Sequence, residues 1–290
     1  MNVNSTIAAG EQVAEILKFS TGQVTSTDGT IIGYRQIGQR PGLIIMHGGA
    51  RASQHYLRLA QELAGTCSVY IPDRRGRGLS GPPGQAYNIE REFEDLSALM
   101  QKTSSRMLFG HSAGGFFALE AALKLPVEKL VLYEPPVPIS GSLDYCWIPD
   151  FESAIAGGNS AVALAIFFKG LRLHWTGRLP VWVLAAFSRL MMRTQDGREM
   201  AELLPTIVWE IEEIRRLDQA GLTYERYQNI QAETLLLGGS RSPDYLRKVL
   251  PVLADVIPQA CMLEFPGFGH NAPDQDAPEV VAAEIRKFLS

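Results

Sequence analysis

Along most of the chain, short β-branched apolar runs alternate with longer stretches of helical periodicity. Strands are predicted at Gly42–Met46, Ser68–Pro72, Arg106–Gly110, Lys129–Tyr133, Glu233–Gly238 and Cys261–Phe265. A hairpin precedes them, Gln23–Ser26 and Thr30–Ile37, turning at Asp28-Gly29. Helical patterns fall at Ser53–Ala64, Ile89–Thr103, Gly114–Leu125, Pro243–Val256 and Pro278–Leu289. Strands this continuously apolar suit a sheet covered on both faces, so the expected class is α/β with a mostly parallel central sheet.

One block interrupts the alternation. From Pro138 to Asn229 no strand pattern appears, only helical segments such as Ala161–Leu173, Leu179–Met192 and Ile207–Leu217. The last is amphipathic, and Glu210, Glu212, Glu213, Arg215 and Arg216 are expected to form a solvated face. We expect residues 138–229 to be a helical cap inserted after the sixth core strand. Residues 20–137 and 230–290 then form the core, and residues 1–19 an N-terminal leader or a short helix around Gly10–Phe19.

Composition narrows the function. The 290 residues are 46% apolar and 20% charged, enough to bury a substantial core. The 27 basic and 31 acidic residues give a formal charge of −4, so no basic excess is available to neutralise a phosphate backbone, and nucleic acid is not expected as a partner. Cys67, Cys146 and Cys261 lie far apart with no metal-ligand spacing, which fits a reducing compartment. The first residues lack the features of a signal peptide, and the most apolar stretches fall short of the ~20 residues a membrane span needs. A cytoplasmic protein is expected; the oligomeric state is left open.

The chemistry gathers at three loops. Gly110-His111-Ser112-Ala113-Gly114 follows one strand and opens a helix. A serine at such a turn is forced into a strained conformation that exposes its hydroxyl, with glycines on either side making room. The Ala113 amide, at the helix N-terminus, points toward any oxyanion formed there. His47-Gly48-Gly49 follows another strand, and the Gly49 amide is the expected second donor, with His47 anchoring the loop. Gly267-Phe268-Gly269-His270-Asn271 follows the last strand and makes His270 the expected general base. His55 and His111 are expected to be structural; His174, in the cap, is also a candidate to line a pocket.

Together, His47-Gly48-Gly49, Asp73-Arg74-Arg75-Gly76-Arg77-Gly78-Leu79-Ser80, the GHSAG turn and the late glycine–histidine loop resemble the α/β-hydrolase superfamily, in its order and at about its spacing. The resemblance covers roughly Gln23 to Phe288. It implies that fold and a serine nucleophile; a serine at the elbow argues against the family's dehalogenases and epoxide hydrolases, which use aspartate there. It also implies that the arginine-rich turn braces a loop rather than taking part in chemistry.

The chain departs from the family at the triad acid. Where relatives carry an aspartate beyond the strand ETLLLG, this chain has Ser242, which reads as a helix N-cap before Pro243. Asp244 stands two residues later. Glu134, at the end of the neighbouring strand, is the preferred acid and preserves the order serine, acid, histidine. Asp244, or a serine–histidine pair without a carboxylate, are the alternatives. The expected activity is hydrolysis of a carboxylic ester or related acyl bond of a small-molecule, partly apolar substrate through Ser112, His270 and Glu134, with no metal or organic cofactor. Phe168 and Trp182 are candidate pocket residues for an apolar substrate group. The alternatives are carbon–carbon bond hydrolysis or lactone opening on the same triad, or a non-catalytic homologue that binds a small molecule.

Overall fold

A computed structural model describes residues 18–39, 42–84, 87–139, 141–172 and 176–290. The expected helix at Gly10–Phe19 and His174 lie outside these, save for Lys18 and Phe19, which precede the first strand outside any helix. The chain opens with β1 (Ser20–Thr25), β2 (Ile31–Ile37) and β3 (Gly42–Met46). The β1–β2 turn is closed by Thr30 N–H donating to Asp28 Oδ1. A short 3-10 turn leads into α1 (Leu57–Leu63), followed by β4 (Ser68–Pro72), α2 (Ile89–Thr103), β5 (Met107–His111), α3 (Ala113–Ala121) and β6 (Lys129–Tyr133). Four helices come next: α4 (Ile148–Ala156), α5 (Ser160–Gly170), α6 (Val181–Met191) and α7 (Gln195–Gln219). The chain returns to the sheet with β7 (Glu233–Gly239), α8 (Asp244–Arg247), α9 (Val249–Val256), β8 (Ala260–Phe265) and α10 (Pro278–Leu289).

The eight strands form one sheet in the order β1-β2-β4-β3-β5-β6-β7-β8, antiparallel at β1–β2 and β2–β4 and parallel from β4 onward. Side chains alternate across it. Ile44, Leu108, Leu130 and Leu236 face a layer containing Phe93 of α2 and Phe116 of α3. Leu43, Ile45, Phe109 and Val131 face the other layer, where Leu59 of α1 packs with Ile285 of α10. Both faces are covered, which is why the parallel strands read as unbroken apolar runs.

The 138–229 block carries a small core of its own, including Phe151, Leu164, Phe167, Leu204 and Ile207, which meets the rest of the chain at Ala50. Two of its features differ from expectation. Helix α4, with Ile148, Phe151 and Ala154 buried along one face and a proline at its start, is not among the expected segments. Helix α7 begins twelve residues before the expected Ile207; Gly197 and Pro205 mask it, while Thr194 Oγ1 caps it by accepting from Gly197 N–H. The expected solvated face is also corrected in part. Glu210 is only 2% exposed and Glu213 6%, because both turn inward to partners on the core.

Candidate active site

The strand order reverses at β3, whose neighbours β4 and β5 run off in opposite directions. In an open parallel sheet such a reversal leaves a crevice at the carboxyl ends of the strands. There Met46 pairs with Gly110, and His111 with Tyr133, so the loops after β3, β5 and β6 emerge side by side.

Ser112 sits at the sharp turn between β5 and α3 with φ 54° and ψ −127°. This is a sparsely populated conformation costing of order 1–3 kcal/mol, held here by the elements on both sides. Ser112 N–H donates to Tyr133 O at 2.9 Å, and Ser112 O accepts from Phe116 N–H at 3.0 Å. The flanking glycines are required by close approach. A Cβ on Gly110 would lie 2.6 Å from Gly115 Cα, and one on Gly114 would collide with the carbonyls of Met46 and His47. Ala113 opens α3, so its N–H has no intrahelical acceptor and points out at the positive end of the helix.

His270 and Glu134 meet across the strand ends: His270 Nδ1 lies 2.6 Å from Glu134 Oε2. Glu134 is fully buried, with φ 49°, immediately after β6. Its other oxygen, Oε1, accepts from Gly239 N–H at 2.7 Å. A carboxylate opposite Nδ1 leaves Nε2 as the imidazole's free nitrogen, the tautomer a general base needs. Asp244 stands elsewhere: its side chain is 74% exposed and pairs with Lys248 at 3.1 Å. Ser242 does not cap α8, which begins at Asp244; its Oγ is buried without a partner.

A buried relay joins the loops, and its direction is fixed by its ends. His270 O can only accept, so His111 Nε2 donates to it at 2.9 Å. Burial and the neighbouring His270 push the His111 pKa well below its ordinary value, leaving the ring neutral with Nδ1 as acceptor. Tyr56 Oη donates to that nitrogen at 2.6 Å and itself accepts from Gly48 N–H at 3.0 Å. His47 is likewise held neutral, chiefly by burial and then by the charges of Arg77 and Arg74; its Nδ1 donates to Gly48 O and its Nε2 accepts from Arg74 N–H. The sequence pattern singled out neither Tyr56 nor this role of His111. A tyrosine in the first turn after a glycine loop carries no signature until the fold folds it back.

The arginines of the Asp73–Ser80 turn are taken up in buried ion pairs. Arg74 pairs with Glu92 at 2.8 Å and with Glu210, and Arg75 with Asp95 at 2.6 Å. Arg77 reaches Glu210 at 2.6 Å and Thr206 Oγ1 at 2.8 Å. Since Glu210 and Thr206 belong to α7, the turn fastens that helix over the strand ends.

Ser112, His270, Gly49 and Ala113 all line one cavity of about 280 Å³. Its far wall comes from the four-helix block and includes Phe167, Phe168, Met200 and Ile207. Phe168 is therefore on the cavity, whereas Trp182 is not. Trp182 lies 75% exposed on α6, because Leu184, Ala185 and Ser188 form that helix's buried face. Polar groups missed in the sequence also line the cavity. Arg51 holds Asp274 at 2.8 Å and Asp196, at the start of α7, at 2.9 Å. Burial lifts the Asp274 carboxyl to about 6 against the pull of Arg51. Among the described residues no group of three or more His, Cys, Asp or Glu is gathered as a metal-ligand set.

The profile of the Alpha/beta hydrolase family matches residues 43–284, most of the chain. The chain belongs to that family. An uncharacterized hydrolase of Bacillus subtilis, YraK, is 28% identical over 113 residues, 37% of this chain and 42% of that protein. A cis-3-alkyl-4-alkyloxetan-2-one decarboxylase of Shewanella oneidensis is 29% identical over 115 residues, 37% of this chain and 36% of that protein. The chain thus spans less than half the length of these curated relatives. Among solved structures, an alpha/beta hydrolase from Sphaerobacter thermophilus superposes with a TM-score of 0.78 at 26% identity, over 93% of this chain and all of that one. No helix among the described residues is long and apolar enough to cross a membrane.

Proposed function

We propose that this alpha/beta hydrolase is a serine hydrolase cleaving a carboxylic ester or related acyl bond of a small, partly apolar substrate. The observation that carries the reading is the 2.6 Å contact between His270 Nδ1 and Glu134 Oε2, made while His270 and Ser112 face one cavity. His270 Nε2 takes the Ser112 proton as Oγ attacks the carbonyl. The Gly49 and Ala113 amides receive the oxyanion, and Glu134 balances the imidazolium. His270 then protonates the leaving alcohol and activates water to hydrolyse the acyl-enzyme. Residues 138–229 act as a cap, and Phe168 packs against the apolar part of the substrate. A cavity of about 280 Å³ suits a small molecule rather than a polymer. The three free cysteines support placing the protein in the cytoplasm.

The test is labelling with a fluorophosphonate beside turnover of a chain-length panel of chromogenic esters and lactones. Wild type labels and turns over; Ser112→Ala does neither, with kcat lowered on the order of 10⁶-fold. A folded Ser112→Ala variant that keeps a few per cent of activity removes Ser112 from the nucleophile's role. A folded wild type that neither labels nor turns over points to a binding homologue instead.

A further inference from the structure

Helix α6 is built the wrong way round for a helix that only packs on its own protein. Leu184, Ala185 and Ser188 are buried, yet the opposite face shows Trp182 at 75% exposure, Leu190 at 58% and Phe187 at 45%. Large apolar side chains clustered on one exposed face mark a contact surface rather than scattered surface residues. Positions 182, 186, 189 and 190 recur at helical spacing, so Arg189 falls on that same face, and the exposed Arg193 lies in the turn that directly follows the helix. Arg178, Arg189 and Arg193 are all exposed, and none meets a carboxylate among the described residues. The sequence concentrates this charge. Between Glu152 and Asp196 there is no acidic residue, while Lys169, Arg172, Arg178, Arg189 and Arg193 are all basic, in a chain whose net charge is −4. Of these, Arg172 is neutralised by Asp144.

We propose that the Trp182–Leu190 face of α6, with its rim of Arg178, Arg189 and Arg193, docks this protein on an anionic lipid surface. An interfacial helix takes this form: tryptophan and leucine enter the headgroup boundary while arginines pair with lipid phosphates. A second copy of the chain is the poorer occupant, since a two-fold contact through this face brings the basic patches of both copies together. Met191, at the end of the same helix, lines the cavity that holds Ser112, so the docked face adjoins the wall of that cavity. The proposal rests on this surface alone and not on the chemistry of Ser112.

Co-sedimentation of the full chain with vesicles tests it, using phosphatidylcholine alone and phosphatidylcholine mixed with phosphatidylglycerol. Wild type pellets with the anionic vesicles, is released from them by salt, and stays in the supernatant when the vesicles are neutral. At roughly fivefold in affinity per arginine, Arg189→Glu with Arg193→Glu weakens binding at least tenfold. Trp182→Ser weakens it as well and abolishes the blue shift in tryptophan emission that accompanies binding. Circular dichroism and turnover of a soluble short-chain ester stay at wild-type level in both variants, because these side chains are exposed and off the cavity. The proposal fails if wild type ignores anionic vesicles, binds neutral ones equally well, or binds as before after these substitutions. It fails too if light scattering finds a dimer that Trp182→Ser dissociates, for then a second copy covers the face.

Discussion

Replacing Glu134 with glutamine keeps the side chain's shape and inverts one hydrogen bond. In the native site Oε1 accepts the Gly239 N–H at 2.7 Å and Oε2 accepts from His270 Nδ1 at 2.6 Å. Glutamine has one oxygen for two donors. If that oxygen stays with Gly239, whose N–H is buried and fixed by β7, the amide NH₂ faces His270. The imidazole then avoids a donor–donor contact only by moving its proton to Nε2, the nitrogen required to receive the Ser112 proton. The imidazolium formed during attack also loses its counter-charge. The corresponding change in a serine triad costs about 10⁴ in kcat, or roughly 5.4 kcal/mol of transition-state stabilisation. Stability suffers less, by about 1.5–3 kcal/mol, the worth of a hydrogen bond to a charged group. Steady-state kinetics on a chromogenic ester, beside circular dichroism and chemical denaturation, separates the two losses. Asp244→Asn is the control: its exposed i,i+4 pair with Lys248 is worth about 0.3–0.5 kcal/mol, and activity should not change. A folded Glu134→Gln enzyme within tenfold of wild type would refute this account of the acid, and a large loss in Asp244→Asn would transfer the role.

Phe168→Ala should shift selectivity toward shorter acyl chains, by about 1–3 kcal/mol per methylene of lost contact, whereas Trp182→Ala should leave the ester profile flat. A chain-length panel of kcat/KM reads both, and a shift in Trp182→Ala would place that ring on the cavity after all. Asp274 titrates near 6 in the fold, above the ordinary 3.8, so the folded form holds its proton more tightly than the unfolded one. Its contribution is fully present below the unfolded value and declines as pH rises through about 6, by on the order of 3 kcal/mol for a shift of about two units. Denaturant titrations of wild type and Asp274→Asn between about pH 4 and pH 7 should therefore show the wild type losing stability relative to the variant, and parallel curves would discount the shift.

What the sequence made legible depended on how local the cause was. Gly42–Met46 and Lys129–Tyr133 are strands because four large apolar residues in a row, Leu43–Met46 and Leu130–Tyr133, suit a sheet buried on both faces, and their bounds emerge unchanged. The Gly110–Gly114 turn was legible because its residue types are set by the turn itself: Gly110 answers a steric demand from Gly115 close by, although Gly114 answers one from the distant carbonyls of Met46 and His47. Glu210 and Glu213 were misread because a carboxylate on a helix is ordinarily solvated. Their burial depends on Arg74, Arg77 and the Ile89 N–H, more than a hundred residues distant. Trp182 was misread for the converse reason: apolar character predicts burial, while the orientation of α6 is set by Leu184 and Ala185 packing on α5. The Tyr56–His111 relay had no local cause to find.

The strand order accounts for the reach that the proposed role of Glu134 requires. Glu134 leaves β6 while His270 follows β8, and β7 lies between them. Neighbouring strands are about 4.8 Å apart, so the carboxylate must reach over the end of an intervening strand. Strand β7 ends in Gly238-Gly239, which offers no side chain to obstruct it: a Cβ on Gly238 would stand 3.1 Å from Glu134 Oε1. The same glycine pair supplies a stop for the reach, since the Gly239 N–H holds Oε1 and so aims Oε2 at the imidazole. Glutamate rather than aspartate at 134 provides the extra methylene for the crossing. The positive φ of 49° at Glu134 turns the backbone out of the strand as the crossing begins. With the carboxylate arriving from β6, position 242 is released from any need for an acid. The serine found there is buried, with its hydroxyl unpartnered.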